Sequence, residues 1–431
     1  MQFPPMFRVA QRFDCPRVEN IAQTVDRELA RLNLAGKVRP GESVAVTAGS
    51  RGIANIAVVL QAIVRHLKAL KLEPFVVPAM GSHGGGTVAG QVGILHGYGV
   101  TEDFLGCPIR ATMETVIVCH TPEGLPVHFD RYASEADHVV VCGRVKPHTN
   151  FVGEIESGLM KMMLIGLGKH AGATIYHRAI QDYSFDQIVK AVAGRVLASC
   201  HILAGVGIVE NAYDETALIA AVAPEDFESR EKELLVLAKR WLPQLPFGKV
   251  DVLIIDEIGK DISGAGMDTN VIGRKVAQPA GTRESPHVRR VIVRGLTEAT
   301  HGNACGIGIA DFCTTRAIEQ TDLHITYVNV LTGGHPEGAR LPIHFPTDRQ
   351  VLEAALGQIG LKPPEEAGVL WIRNTLELAE VECSAAYLAE ARERPDLDVI
   401  AEPRPLPFDA EGNLPSITSL ARRPGELINA E

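Results

Sequence analysis

The sequence predicts an α/β protein built as two α/β domains with an active-site cleft between them. Apolar runs of strand length repeatedly end in glycine-rich polar loops, helical stretches separate those runs, and the punctuation LPQLPFG divides the 431 residues near position 245. At roughly 100 to 200 residues per domain, this length suits two domains. The expected division is therefore residues 1-245 and residues 246-431, the second closing the cleft and ending in an irregular tail after about residue 400.

The elements follow in order. Residues 19-33 (ENIAQTVDRELARLN) carry apolar side chains near helical spacing, and a PGE turn leads into SVAVTAGSRG, a strand running into a loop. A helical stretch over 53-70 precedes EPFVVPAMGSHGGGT, again a strand ending in a glycine-rich loop, so the unit is βαβ. DHVVVCGRVKPHTNF repeats the pattern a third time. In an open α/β sheet, ligands collect outside the carboxyl ends of the strands, where these three loops lie. The passage 179-242 reads as helix-rich, and KVDVLIIDEIG, RRVIVRGL, HITYVNVL and GVLWIRNT read as the strands of a second sheet.

Composition narrows the function. Charged residues make up 22% and hydrophobic residues 46%, as in ordinary folded proteins, which argues against disorder. With 42 Lys+Arg against 52 Asp+Glu the net charge is −10, so a nucleic-acid or anionic-membrane footprint is disfavoured and small-molecule chemistry leads. The eight cysteines form no C-x-x-C pair, and the N-terminal residues lack the apolar run of a secretory signal. A cytoplasmic protein with reduced thiols is expected.

Three loops hold the candidate chemistry. In TAGSRG, Arg51 offers a planar fork of donors suited to a carboxylate or phosphate, or simply to a neighbouring acid. In GSHGGGT, His83 sits among glycines without the ending of a P-loop, either as a general acid/base or as a turn histidine bonding backbone. The segment from GRVKPHTNF through SGLMKMM to GKHAGATIYH supplies His148, Lys161 and His177. Lys161 has apolar neighbours that would favour a neutral, nucleophilic amine, although a lysine snorkelling from a helix fits the same pattern. His177 is a possible metal ligand or an ordinary packed histidine.

Taken together, Arg51 in T-x-x-S-R, His83 in G-S-H, His148 in P-H, Lys161 in S-G-x-x-K and His177 sixteen residues later resemble the nickel-pincer-nucleotide-dependent lactate racemase family over about residues 12-210. The resemblance implies a cofactor-binding N-terminal domain. Its cofactor would be nickel in a pyridinium-3,5-bisthiocarboxylic acid mononucleotide, linked to Lys161 and ligated by His177. His83 and His148 would be the acid/base pair, and Arg51 would hold a substrate carboxylate. The activity implied is racemisation or epimerisation of a 2-hydroxy acid, lactate-like or a sugar acid, with cofactor-biosynthesis proteins as transient partners and neither nucleic acid nor membrane involved.

Two departures bear on the substrate. The Asp that this family places three residues before the loop arginine is Ala48, and the second domain has only IGKDISGAGMDTN where the family carries a longer substrate motif. Lys260, with Asp268 and Asn270, is the candidate for substrate contact there. Two other readings of the same histidines stand beside this one: a metal-dependent hydrolase or lyase, and a non-catalytic small-molecule-binding protein.

Overall fold

The computed structural model describes residues 1–50, 52–180, 182–275 and 286–420. Contacts divide the chain into a central unit, Asp14–Leu242, and a terminal unit made of Met1–Phe13 with Pro243–Glu431. The first strand, β1 (Met6–Gln11), thus belongs with the C-terminal half, which differs from the expectation that residues 1-245 stand together.

The central unit contains α1 (Ile21–Ala30), β2 (Ser43–Ala48), α2 (Ile56–Ala69), β3 (Glu73–Pro78), α3 (Val88–Gly97), α4 (Glu102–Leu105), the hairpin β4 (Thr115–His120) and β5 (Pro126–Asp130), α5 (Arg131–Glu135) and β6 (His138–Arg144). It continues with α6 (Leu159–Lys161), a π-helical turn at Met162–Gly166, α7 (Lys169–Ala179), α8 (Phe185–Ser199), β7 (Ile202–Glu210), β8 (Thr216–Val222) and α9 (Phe227–Trp241). The main sheet runs β3-β2-β6-β7-β8, parallel except for β8. Val46 of β2 stands opposite Val76 of β3 on one side and Val140 of β6 on the other.

Side chains alternate across these strands, and both faces are covered. Val44 and Val46 join one core with Leu60, Ile63 and Leu67 of α2, while Ala45, Val139 and Val141 join another with Leu159, Met163 and Tyr176. After β2 the chain adds β3 on one flank and later returns to add β6 on the other. That reversal is a topological switch point, and the crevice it opens lies at the carboxyl ends of β2 and β6.

The terminal unit carries β9 (Lys249–Ile255), β10 (His287–Val293), β11 (Phe312–Thr314), β12 (Ile343–Phe345), β13 (Val369–Ile372), β14 (Glu380–Ser384) and β15 (Leu397–Arg404). With β1 they form one sheet in the order β12-β11-β10-β9-β13-β14-β1-β15.

Three local readings need correction. HITYVNVL is helical, within Leu323–Thr332, because the Asp322 side chain accepts the Ile325 amide at 3.0 Å and caps the first turn, overriding β-branched propensity. The helix-rich passage also holds β7 and β8, continuous apolar runs that lack the alternation by which a strand is recognised. The tail after 400 begins as β15, whose partner β1 lies at the opposite end of the sequence.

Arg294, almost fully buried, meets Asp348 through Nε at 3.0 Å and Nη2 at 2.9 Å, and Arg316 adds contacts at 2.7 and 2.9 Å. Burial alone would raise the Asp348 carboxyl, but the two guanidinium groups overcome it and hold the group below the usual carboxylate range. Asp348→Asn leaves Arg294 buried beside a neutral amide and should cost about 3 kcal/mol or more in urea unfolding at pH 7. Because a depressed acid stabilises above its unfolded pKa and loses that contribution as pH falls through the folded value, the gap to the native chain should narrow below about pH 4.

Candidate functional site at the carboxyl ends of β2, β3 and β6

The loop after β2 carries Ser50, and that after β3 carries His83, both half-buried. The adjacency of the two strands brings these side chains together, and Ser50 Oγ hydrogen-bonds His83 Nδ1. Arg51 lies outside the described residues, but its neighbours are firmly held. The Tyr98 hydroxyl donates to Ser50 O at 2.7 Å and accepts from the Gly52 amide at 3.0 Å. Glu210, at the end of β7, accepts the Ala54 amide at 2.7 Å and forms a partly buried ion pair with Arg144, at the end of β6. Arg144 also reaches Gly52 O at 3.4 Å. Tyr98, just past α3, and side chains at the ends of β6 and β7 thus clamp the β2 loop on either side of position 51.

His148 follows β6. Its ring stacks on Phe151, with centroids 3.7 Å apart and planes 10° from parallel, and Phe151 stacks in turn on Phe185 at 3.7 Å. The Asn150 amide donates to His148 Nδ1 at 3.0 Å. A backbone N–H can only donate, so in the neutral ring the proton sits on Nε2. Its own amide is held by buried Glu156 at 2.7 Å.

Lys161 ends α6 and is half-buried, immediately before the π-helical turn, in which the Leu167 amide reaches back to Met162 O at 2.9 Å. Wide turns of this kind are frequent at functional sites. Met162 rests on the end of β6 so closely that a Cβ at Gly143 would come within 2.7 Å of its Cγ. The Lys161 turn is therefore packed against the same strand end that leads to His148. His177 lies one helix further on, half-buried in the last turn of α7.

Lys260 belongs to the terminal unit, in the turn after β9, where its Nζ donates to Gly264 O at 2.6 Å. Asp268 accepts the Asn270 amide at 2.8 Å, and Asn270 Oδ1 accepts from Lys275 at 2.7 Å. These groups brace their own loop.

Lys169 was not singled out by sequence reasoning. It is fully buried, adopts a left-handed φ of 54° at the head of α7, pairs with Asp130 at 2.9 Å and donates to Pro78 O. Burial pushes its ammonium below the usual lysine range, with Asp130 opposing that shift. The signal was the glycine before it, since G-K at a helix start permits an inward lysine, but only burial distinguishes Lys169 from Lys161. Lys169→Met should lower stability by about 3–5 kcal/mol in denaturant unfolding, because it strands Asp130. Adding Asp130→Asn, which keeps the bond to the Ala133 amide at 2.9 Å, should recover part of that loss.

Residues 9–185 match the family model for the lactate racemase N-terminal domain. No curated protein matches the chain. Among solved structures, the lactate racemase apoprotein from Thermoanaerobacterium thermosaccharolyticum is similar at 12% identity with a TM-score of 0.47, over 90% of this chain and 92% of that one. A crystal structure of a protein from Thermotoga maritima is similar at 13% identity with a TM-score of 0.44, over 64% of this chain and 70% of that one. The segment that bears His83, His148, Lys161 and His177 is therefore similar to the lactate racemase N-terminal domain over residues 9–185.

Proposed function

We propose that this protein is an isomerase that racemises or epimerises a 2-hydroxy acid, using a nickel pincer nucleotide carried on Lys161. The observation that carries the reading is the pairing order of the sheet. β2 is flanked by β3 and β6, so His83 and His148 leave the sheet on either side of the loop that holds Arg51, with the Lys161 turn packed against the end of β6. Inverting a carbinol carbon needs two proton-handling groups on opposite sides of one substrate, with an anion-binding group between them.

The donor set suits the cofactor. Lys161 offers an amine for an acyl-type link, and His177 offers one imidazole to the metal. Among the described residues no three His, Cys, Asp or Glu side chains converge as a protein-only metal site, so a metal here would take its remaining ligands from the nucleotide that brings it. When bound, the nucleotide would supply the hydride-accepting and hydride-donating chemistry that the side chains themselves lack.

The chain's own residues do the rest. Arg51 holds the substrate carboxylate, and its anchored loop limits how far that carboxylate can move. Ser50 Oγ can accept a hydrogen bond from His83 Nδ1–H, which leaves the lone pair of Nε2 to take the hydroxyl proton of the substrate. His148, with its proton on Nε2, gives one back. The phenyl stack keeps the His148 ring in one plane throughout. The remainder of the reading is a hydroxy-acid substrate held locally despite the −10 net charge, cofactor-biosynthesis proteins as transient partners and a cytoplasmic setting; no helix among the described residues is long and apolar enough to cross a membrane.

Intact mass spectrometry of the chain produced with a working cofactor pathway should reveal an adduct that Lys161→Ala abolishes, and nickel that His177→Ala fails to retain. An unmodified Lys161 under proven cofactor supply would refute the proposal. Activity restored by zinc or manganese alone would instead favour a metal-dependent hydrolase or lyase, and ligand binding without isotope exchange at the carbinol carbon a binding protein. Ser50→Ala should cut kcat by about tenfold or more while KM stays within about twofold, with Ser50→Thr restoring the rate, as expected for a group that sets a general base.

A further inference from the structure

The segment from His148 to Lys161 is held from below by one helix, α9, through two buried carboxylates. Glu156 is 1% exposed; its Oε2 accepts the His148 amide at 2.7 Å, its Oε1 accepts the Gly153 amide at 3.2 Å, and Lys239 of α9 pairs with it at 2.6 Å. Glu231 of α9 is completely buried, and its Oε2 accepts the Met160 amide at 2.8 Å, one residue before Lys161. The Leu159 amide also bonds this carboxylate. The residue that would ordinarily cap α6 is Gly158, which has no side chain to do so. A Cβ at Gly158 would lie 2.6 Å from Glu231 Cδ, so the glycine leaves the space the carboxylate fills.

A serine or aspartate at the cap position would satisfy these amides locally and without burying a charge. Here the cap comes instead from a helix some seventy residues away, and its burial pushes the Glu231 carboxyl up to about 7. Such a costly arrangement orients the turn as a rigid body relative to the sheet. A local cap would leave that orientation open, because it would move with the turn.

We infer that Glu231 is the positioning residue for Lys161: by capping the amides of Leu159 and Met160 from α9, it sets where the Lys161 amine points, while Glu156, tied to the same helix through Lys239, sets the His148 loop. The inference rests on the reading of Lys161 as the cofactor-bearing lysine.

The test uses the bare full-length chain and so is independent of cofactor loading. N-hydroxysuccinimidyl acetate labels amines at a rate set by their exposure and protonation, and peptide mass spectrometry reads Lys161 against the exposed lysines Lys37 and Lys71 as internal standards. Glu231→Gln keeps an acceptor oxygen and should leave the Lys161 rate within about twofold. Glu231→Ala should speed Lys161 labelling by about fivefold or more and raise amide hydrogen exchange over residues 159–166, with exchange in β2 and β3 unchanged. If Glu231→Ala does not fold, Gly158→Ala, which drives the carboxylate from its place, should give the same signature. Unchanged Lys161 labelling and exchange in whichever of these variants folds would overturn the inference, as would a Glu231→Gln chain as perturbed as the alanine variant. A wild-type chain that gains no adduct when the cofactor is supplied would refute the role of Lys161 and leave the labelling result intact, so the two failures are distinguishable.

Discussion

Parallel pairing of β2 with β3 on one side and with β6 on the other is the constraint from which the candidate site follows. Parallel strands must all be entered from one edge of the sheet and left at the other, so their outgoing loops are neighbours however distant they are in sequence. Ser50, His83 and His148, separated by up to 98 positions, share one edge for that reason alone. The pairing is kept in register by side chains buried on both faces: a slip of one residue would send Val44 and Val46 out of the core they share with α2 and into the one built around Tyr176.

Around that edge, polar groups are tied down by partners drawn from the next layer out. Tyr98 and Glu210 hold the β2 loop, a column of two phenyl rings fixes the plane of the His148 imidazole, and Lys169 with Asp130 pins α7 to the end of β3. Each of these buries polar or charged groups, which is unfavourable unless the bonds are nearly complete. The cost is concentrated where the loops need a single geometry. Acid/base chemistry requires such precision, because proton transfer falls away steeply once donor and acceptor drift beyond hydrogen-bond range.

In both units the loops are held by side chains from other elements as well as by their own. In the terminal unit, Lys260, Asp268, Asn270 and Lys275 bond within their loop, and the hydroxyls of Thr300 and Thr375 accept the amides of Lys260 at 3.1 Å and Asp268 at 2.8 Å. The segment that matches the lactate racemase N-terminal domain, residues 9–185, lies mostly within the central unit.

The α/β class, most of the central strands and the placing of His83 and His148 in loops that follow strands were legible in the sequence. Strand-length apolar runs ending in glycine and polar residues are local signals, and an apolar run beside a glycine-rich loop carries its meaning within about ten positions. Non-local facts were hidden. No local pattern tells that β1 closes a sheet with β14 and β15, that Asp322 turns a β-branched stretch into a helix, or that Lys169 is fully buried while Lys161 is only half-covered. Nor does the sequence disclose that Ser50 meets His83 or that Glu231 caps the turn before Lys161. Those contacts join residues 33 and 71 positions apart, and only the stacking of layers around the sheet decides which pairs of distant polar groups share one dry space.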